Sequence, residues 1–363
     1  MLKVGKLDSD LLKGIVFNKI TYKRPEVKVR PGIGEDCAVV DFGQCDCIMS
    51  TDPITAAVTD IGRLAIHITC NDIASNGVEP IGIMLAAMLP IGTTADDIAN
   101  IMEQAGKTAA ELNVEIIGGH TEITGAVNKP VIVSTAIGKT NGEVTNSGSD
   151  MMAGDVILMT KRAGIEGAGI IAADFDHKLD DVLSTEELVK AKGFLNEVSV
   201  VKEGVIAGKI GTHGMHDVTE GGILGAVWEM CKIADLGCML NCDKILVDNE
   251  TLKIAKHFNI DYLRLISSGC MLIVADKNKK DEIILAVSKA GIFIEEIGVI
   301  TEKENVLVDT TTGTVPVANN FCATDELTAM QYLSYTKPSQ DTLTSEQDVS
   351  SAKAIAHLLI LQK

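Results

Sequence analysis

Apolar positions in the first part of the chain fall into two alternating rhythms. Cys47-Ile48-Met49-Ser50-Thr51-Asp52 is a short apolar run closed by an acid, the pattern of a strand. Thr59-Asp60 can cap a helix, and Ile61, Leu64, Ala65 and Ile68 follow at helical spacing. Thr94 with Asp97 forms a capping box for a second helix, whose stripe is Ile98, Ile101, Met102, Ala105, Ala109 and Leu112. Val114 to Ile117 reads as a strand running into Gly118-Gly119, and Val131 to Ile137 as another.

Residues 141–154 turn polar and glycine-rich, which places a domain boundary near 150. Beyond it, Asp155 to Thr160 predicts a strand and Lys161 to Gly167 a loop. Glu186 to Glu197 and Ile223 to Cys231 predict helices. Cys270 to Ala275 and Phe293 to Ile300 predict strands with a helix between them. From Asp325 onward the chain is polar, then weakly amphipathic over Ala354 to Leu361, as expected of a docked terminal helix. The organisation expected is thus 1–150, 151–325 and an extension at 326–363. The class is α/β of the mixed α+β kind, because helices and strands alternate too irregularly for a doubly wound parallel sheet.

Composition narrows the function. A length of 363 residues suits two domains, and a 46% apolar share can bury a sizeable core. A net charge of −18 leaves no excess of Lys and Arg to displace phosphate counterions, which argues against a nucleic-acid partner. No apolar run has the length of a membrane span, and the charged first residues do not read as a secretory signal. The nine cysteines include a C-x-C (Cys45, Cys47) and a C-x3-C (Cys238, Cys242), but no second pair completes a zinc site. Reduced thiols in a cytoplasmic protein are the expectation.

Candidate chemistry sits in acidic and glycine-containing loops. Gly32-Ile33-Gly34-Glu35-Asp36 precedes an apolar strand, and alone reads equally as a turn. Asp52 follows its strand directly. If the helix from Ile61 runs on, Asp72 lies about 20° around the wheel from Ile61, on its apolar face, where a carboxylate needs a cation or several donors. If the helix instead stops before Asn71, Asn71 and Asp72 are caps. Gly118-Gly119-His120-Thr121-Glu122 combines close backbone approach with three polar side chains. His213-Gly214-Met215-His216-Asp217-Val218-Thr219-Glu220-Gly221-Gly222 leads into a helix, whose N-terminus suits phosphate. Its His pair reads as structural rather than as a zinc site.

In this order the motifs resemble the aminoimidazole-ribonucleotide synthetase (PurM-like) superfamily. That superfamily includes HypE-type hydrogenase maturation proteins, thiamine-monophosphate kinase and selenophosphate synthetase. The resemblance covers roughly Gly32 to Ile300, and Asp60 to Pro80 is most similar to HypE-like and AIR synthase-related proteins. It implies an N-terminal domain whose sheet joins a partner's in a dimeric barrel, and a C-terminal α/β domain closing over ATP. It implies Mg²⁺ on Asp36, Asp52, Asp72 and Asp217, with Glu122 as a further ligand. Asn71, Gly118, Gly119, Thr121, Gly221 and Gly222 would line the nucleotide, and Asp52, Asp72 and Asp217 would carry the chemistry. The activity implied is transfer of the ATP γ-phosphate to a small-molecule or amide oxygen, the acceptor being free or protein-borne. The alternative is a non-catalytic nucleotide-binding accessory protein in a maturation pathway. Two departures bear on it: His120 stands where HypE and thiamine-monophosphate kinase have Asp, and no cysteine follows Cys322, whereas HypE carries its group on a terminal cysteine.

Overall fold

The computed structural model describes residues 7, 9–55, 57–140 and 148–302, with the backbone of 306–310 and 313–316. The first half runs α1 (Ser9–Ile15), β1 (Val27–Val29), β2 (Ala38–Asp41), β3 (Asp46–Ile54), α2 (Ile61–Ser75), β4 (Pro80–Pro90), α3 (Ala95–Glu111), β5 (Glu115–Thr124) and β6 (Val131–Thr140). Next come β7 (Val156–Thr160), α4 (Ile165–Asp174), α5 (Thr185–Gly193), α6 (Val201–Ile210), β8 (Gly214–Asp217) and α7 (Gly222–Ala234). The second half closes with β9 (Gly237–Asn241), α8 (Asn249–Phe258), β10 (Met271–Ala275), α9 (Lys280–Lys289), β11 (Ile294–Thr301), β12 (Val306–Thr310) and β13 (Gly313–Pro316).

Two mixed sheets result. The first has the order β1-β2-β3-β6-β4-β5, antiparallel except for the β4–β5 pair at its edge. The second has the order β13-β12-β9-β11-β7-β10-β8. Between them lies α2, which packs on β3, β6 and α3 of the first half and on α6 and β8 of the second. Every residue of α2 except Arg63 is buried, so this helix serves as the common core of both halves. One apolar cluster runs from β3 and α2 through α4 to Phe194, Leu195 and Leu265. Because α2 is buried on all sides, its polar residues His67, Thr69, Asn71 and Asp72 are enclosed along with its apolar ones, where a surface helix would turn them to solvent.

Local signals were followed closely where they were self-contained. The capping box at Thr94 and Asp97 forms, and α3 starts there. Its buried stripe is Ile101, Ala105, Thr108 and Ala109; Met102 turns outward, 39% exposed. A second capping box, Ser184 with Glu187, opens α5, which ends at Gly193 and passes into a 3₁₀ turn at Phe194–Asn196. The helix from Ile61 does continue through Asn71 and Asp72. It ends at Asn76-Gly77, where Gly77 takes a left-handed φ of +71°.

Other expectations are corrected. The loop expected at Lys161 to Gly167 ends at Gly164, and Ile165 to Gly167 form the first turn of α4, buried on every side. Strand β5 does not stop before Gly118-Gly119 but continues to Thr124. Strands β4, β8 and β9 and helices α6 and α8 carried no prediction. The extension at 326–363, with its expected helix, lies outside the described residues. Among the described residues no helix is long and apolar enough to cross a membrane. The eight described cysteines are free thiols.

Candidate active site

Four of the predicted acids converge where the two halves meet. Asp52 sits near the end of β3, Asp72 in the last turn of the central helix, Asp36 in the loop before β2, and Asp217 at the last residue of β8. Asp72 is 4% exposed and Asp217 fully buried. Ser50 and Asp52 share one face of β3, two residues apart. The Ser50 hydroxyl donates to Asp72 Oδ2 at 2.5 Å. Burial, followed by the charges of Asp52, Asp217 and Asp36, holds the Asp72 carboxyl well above the usual carboxylate range. Burial and then Asp36 raise Asp217 to about 8. Both Asp217 carboxylate oxygens are buried with no hydrogen-bond partner. An ionised carboxylate in that state costs several kcal/mol unless a cation compensates it.

His216, buried at 1%, supplies part of that compensation. Its Nδ1 donates to the Asp217 carbonyl at 2.5 Å, and Nε2 lies 3.3 Å from Glu229 Oε2 and 3.7 Å from Asp36 Oδ2. Burial works against its charge, but Asp36, Glu229 and Asp217 outweigh it and raise the imidazole to about 10. The two histidines of this segment separate because odd spacings in an extended chain point to opposite faces. His213 pairs with Asp155 at 2.8 Å, while His216 faces the acids. One ligand atom each from Asp36, His216 and Asp217 lie within 4.8 Å of one another. Asp36 and Asp217 in this group, with Asp52 and Asp72 near enough to act on their charges, offer hard oxygen donors of the kind that suit Mg²⁺ rather than zinc. Cys37, beside all four acids, is a buried thiol pushed well above its ordinary range by burial and then by Asp72.

Other predicted residues fall differently. Asn71 spends both ends of its amide on the chain of the second half: Nδ2 donates to the Val198 carbonyl and Oδ1 accepts from the Val200 N–H, each at 2.8 Å. It pins α2 to the 198–200 segment. Gly221 and Gly222 begin α7 with φ of +89° and +61°, and a Cβ on Gly222 would stand 2.6 Å from the Leu263 carbonyl oxygen. They bring α7 up directly behind Asp217. Gly118, Gly119, Thr121 and Glu122 lie on β5, at the edge of the first sheet. Two strands, β6 and β4, intervene between Asp52 on β3 and this edge, a separation of about 14 Å at ordinary strand spacing. The close backbone approach expected at the glycines is real, but its object is the neighbouring strand: a Cβ on Gly119 would be 1.9 Å from the Leu85 carbonyl oxygen. Glu122 is 48% exposed and meets His120 at 3.3 Å, so it does not join the acids of its own chain.

Ser50, His216 and Glu229 were not anticipated as members of the site. Glu229 had a legible signal: a single carboxylate inside the apolar helical run Ile223 to Cys231, buried at 8%. Ser50 and Asp52, two apart at a strand end, had another.

This arrangement defines a two-half α/β protein with a cluster of carboxyl groups at the junction. The chain belongs to the AIR synthase-related family: the AIR synthase related protein N-terminal domain matches residues 34–140, and the corresponding C-terminal domain matches 152–309. A protein of Methanocaldococcus jannaschii named for hydrogenase expression and formation is 26% identical, covering 85% of this chain and 92% of that one. Carbamoyl dehydratase HypE of Bradyrhizobium diazoefficiens, an enzyme, is 25% identical over 70% of this chain and 73% of its own. The solved structure of hydrogenase maturation protein HypE in complex with ATP superposes with a TM-score of 0.66 at 20% identity, covering 87% of this chain and 96% of that one. The PurM-like two-domain fold is thus shared.

Proposed function

We propose that this protein is an ATP-dependent enzyme that transfers the γ-phosphate to an oxygen acceptor, borne by a small molecule or by the amide of a protein. The observation that carries this reading is Asp217, with both carboxylate oxygens buried and without a hydrogen bond beside Asp36, Asp52 and Asp72, His216 lying 4.0 Å from one of them. In this reading Mg²⁺ is held by Asp36, Asp72 and Asp217 with Asp52 at the rim, and when bound it neutralises charge on the phosphates. Ser50 keeps Asp72 aimed by its hydrogen bond. His216 and Glu229 hold Asp217 and Asp36 in place when the cation leaves. Gly221 and Gly222 open α7, whose N-terminal end favours a phosphate group. The structural neighbour solved with ATP supports the nucleotide.

Two copies would pair through the first sheet. Its outer face leaves Met84 and Ile117 42% and 48% exposed on neighbouring strands. Exposed apolar side chains on a sheet face suit an interaction surface, and a dimer is the expected state in solution.

The test is thermal stability with ATP or a non-hydrolysable analogue, with Mg²⁺ and with EDTA, followed by steady-state turnover. A Mg²⁺-dependent rise, lost in Asp72→Asn, is expected; at a hundredfold excess over Kd it amounts to about 2.7 kcal/mol. Absence of any nucleotide response would sink the reading. The accessory-protein alternative is favoured by one observation, the placement of His120 and Glu122 outside their own chain's cluster. Turnover that depends on Asp52 would exclude it.

A further inference from the structure

A cavity of about 740 Å³ opens on the far side of the loop that carries Asp36. Its walls are the α1 segment, the chain from Phe17 to Val27, the loop from Arg30 to Glu35, and the last turn of α7. The volume is that of a small-molecule pocket. Its charge runs against the rest of the chain. Overall, 50 Asp and Glu face 32 Lys and Arg, yet this cavity is lined by Lys13, Lys23, Arg24, Arg30 and Lys232 against Glu35 alone.

Among these cations, Arg24 holds Glu26, a carboxylate outside the lining, through two hydrogen bonds of 2.6 and 3.0 Å. Arg30 spends one N–H on the Arg24 carbonyl, which fixes its guanidinium at the wall and leaves its charge in place. Lys232 lies over the Trp228 ring at 5.7 Å, in the last turn of α7. Apart from Asn18, the remaining surface is largely apolar: Phe17, Ile20, Tyr22, Ile33 and Ile233 line it, with Tyr22 81% exposed and Ile20 51% exposed. Exposed aromatic and aliphatic side chains beside clustered cations combine a stacking surface with charge.

We propose that this cavity is a binding site for a small organic anion with an apolar body, separate from the carboxylate cluster. The two sites have opposite electrostatics. The cluster accepts a polyphosphate only through a cation, whereas the cavity receives an anion directly. They share one wall. Gly32, Ile33 and Glu35 face the cavity while Asp36 reaches His216, and Gly34 between them packs on Glu229 and Ile233 of α7. A ligand in the cavity therefore touches the loop that holds Asp36. The site stands whether or not the cluster binds ATP.

The experiment is a fluorescence titration of the full-length protein with 8-anilinonaphthalene-1-sulfonate, an aromatic anion, at low ionic strength, with and without saturating Mg·ATP. The expected result is binding that weakens by about tenfold or more in the double variant Lys23→Glu/Lys232→Glu and stays within about twofold of the parent in Lys23→Arg/Lys232→Arg. Added salt should weaken binding to the parent, and Mg·ATP should leave it in place. Melting curves of both variants establish that exposed-lysine changes leave the fold intact. Dye affinity unchanged by charge reversal, or competitive displacement of the dye by Mg·ATP, would overturn the proposal. A failed Mg·ATP response with the dye result intact would remove the nucleotide reading alone.

Discussion

Asp72 and Glu122 are both carboxylates of the first half, both next to small or polar residues in motifs that resemble the same superfamily. Their surroundings are opposite. Asp72 stands in a helix buried on every side, with three other carboxylates and a Ser50 hydroxyl around it. Glu122 stands on an edge strand, 48% exposed, beside His120. An ionised carboxylate at Asp72 is costly unless something positive enters the junction, and without it burial favours the protonated form. Glu122 pays no such penalty, and its position imposes no requirement on a cation. Burial, rather than motif, separates a carboxyl whose charge is penalised from one that ionises freely in solvent.

The sharpest way to break this contrast is Asp72→Asn. Turnover with Mg·ATP should fall by about 100-fold or more, as for a lost metal contact. At the same time the metal-free protein should melt higher, by about 1 kcal/mol or more in stability, because the amide removes a carboxyl whose ionisation burial penalises. A variant that lost both activity and metal-free stability would show that Asp72 is paired structurally.

Asn71→Ala tests the neighbouring position, which serves the junction differently. It removes two hydrogen bonds and leaves buried Val198 carbonyl and Val200 N–H groups without partners. The expected loss is about 2–4 kcal/mol by chemical denaturation. Unchanged stability with weaker nucleotide response would move Asn71 from the junction to the ligand.

The buried cluster should also make metal-free stability depend on pH. His216 is raised from 6.5 to about 10 in the folded state, so its contribution is fully present below 6.5 and is lost as pH rises through 10. Asp217 is raised from 3.8 to about 8, so the cost of its ionisation is absent below 3.8 and grows until pH passes 8. Both act in one direction: without metal, the melting temperature should fall from mildly acidic pH toward pH 10. Saturating Mg²⁺ should flatten that slope, and an equally steep slope with Mg²⁺ would separate the cation from these groups.

Glu122→Gln should have the smallest effect, within about 0.5 kcal/mol of stability, as for an exposed substitution. The Mg·ATP response should persist. Loss of that response would bring β5 of a second copy into the site, and the contrast with Asp72 would then hold only within one chain.

What could be read in advance follows the range of the forces involved. The capping boxes at Thr94/Asp97 and Ser184/Glu187 are closed by atoms three residues apart, and the first was legible as a motif. The second was equally local and was simply passed over within a helix placed at Glu186 to Glu197. Strand β4 escaped notice because its eleven residues, Pro80 to Pro90, are almost all apolar and lack the alternation of a half-buried strand. Met102 was assigned to the wrong face because five apolar or small positions of α3 allow more than one stripe, and the packing against α2 selects among them.

The sequence by itself determined the local devices, the acids that would matter and the family to which their order belongs. It could not determine which acids would meet. Asp36, Asp52, Asp72 and Asp217 come from a loop, a strand, a helix and a second sheet, and only the packing of α2 against both halves draws them together. The same packing recruits Ser50, His216 and Glu229 and leaves Glu122 on an outer edge. Hydrogen bonds within a turn are set by neighbours in the chain. Burial, and with it the cost of an unpaired charge, is set by everything that surrounds a residue, and that exists only once the two halves have closed on their common helix.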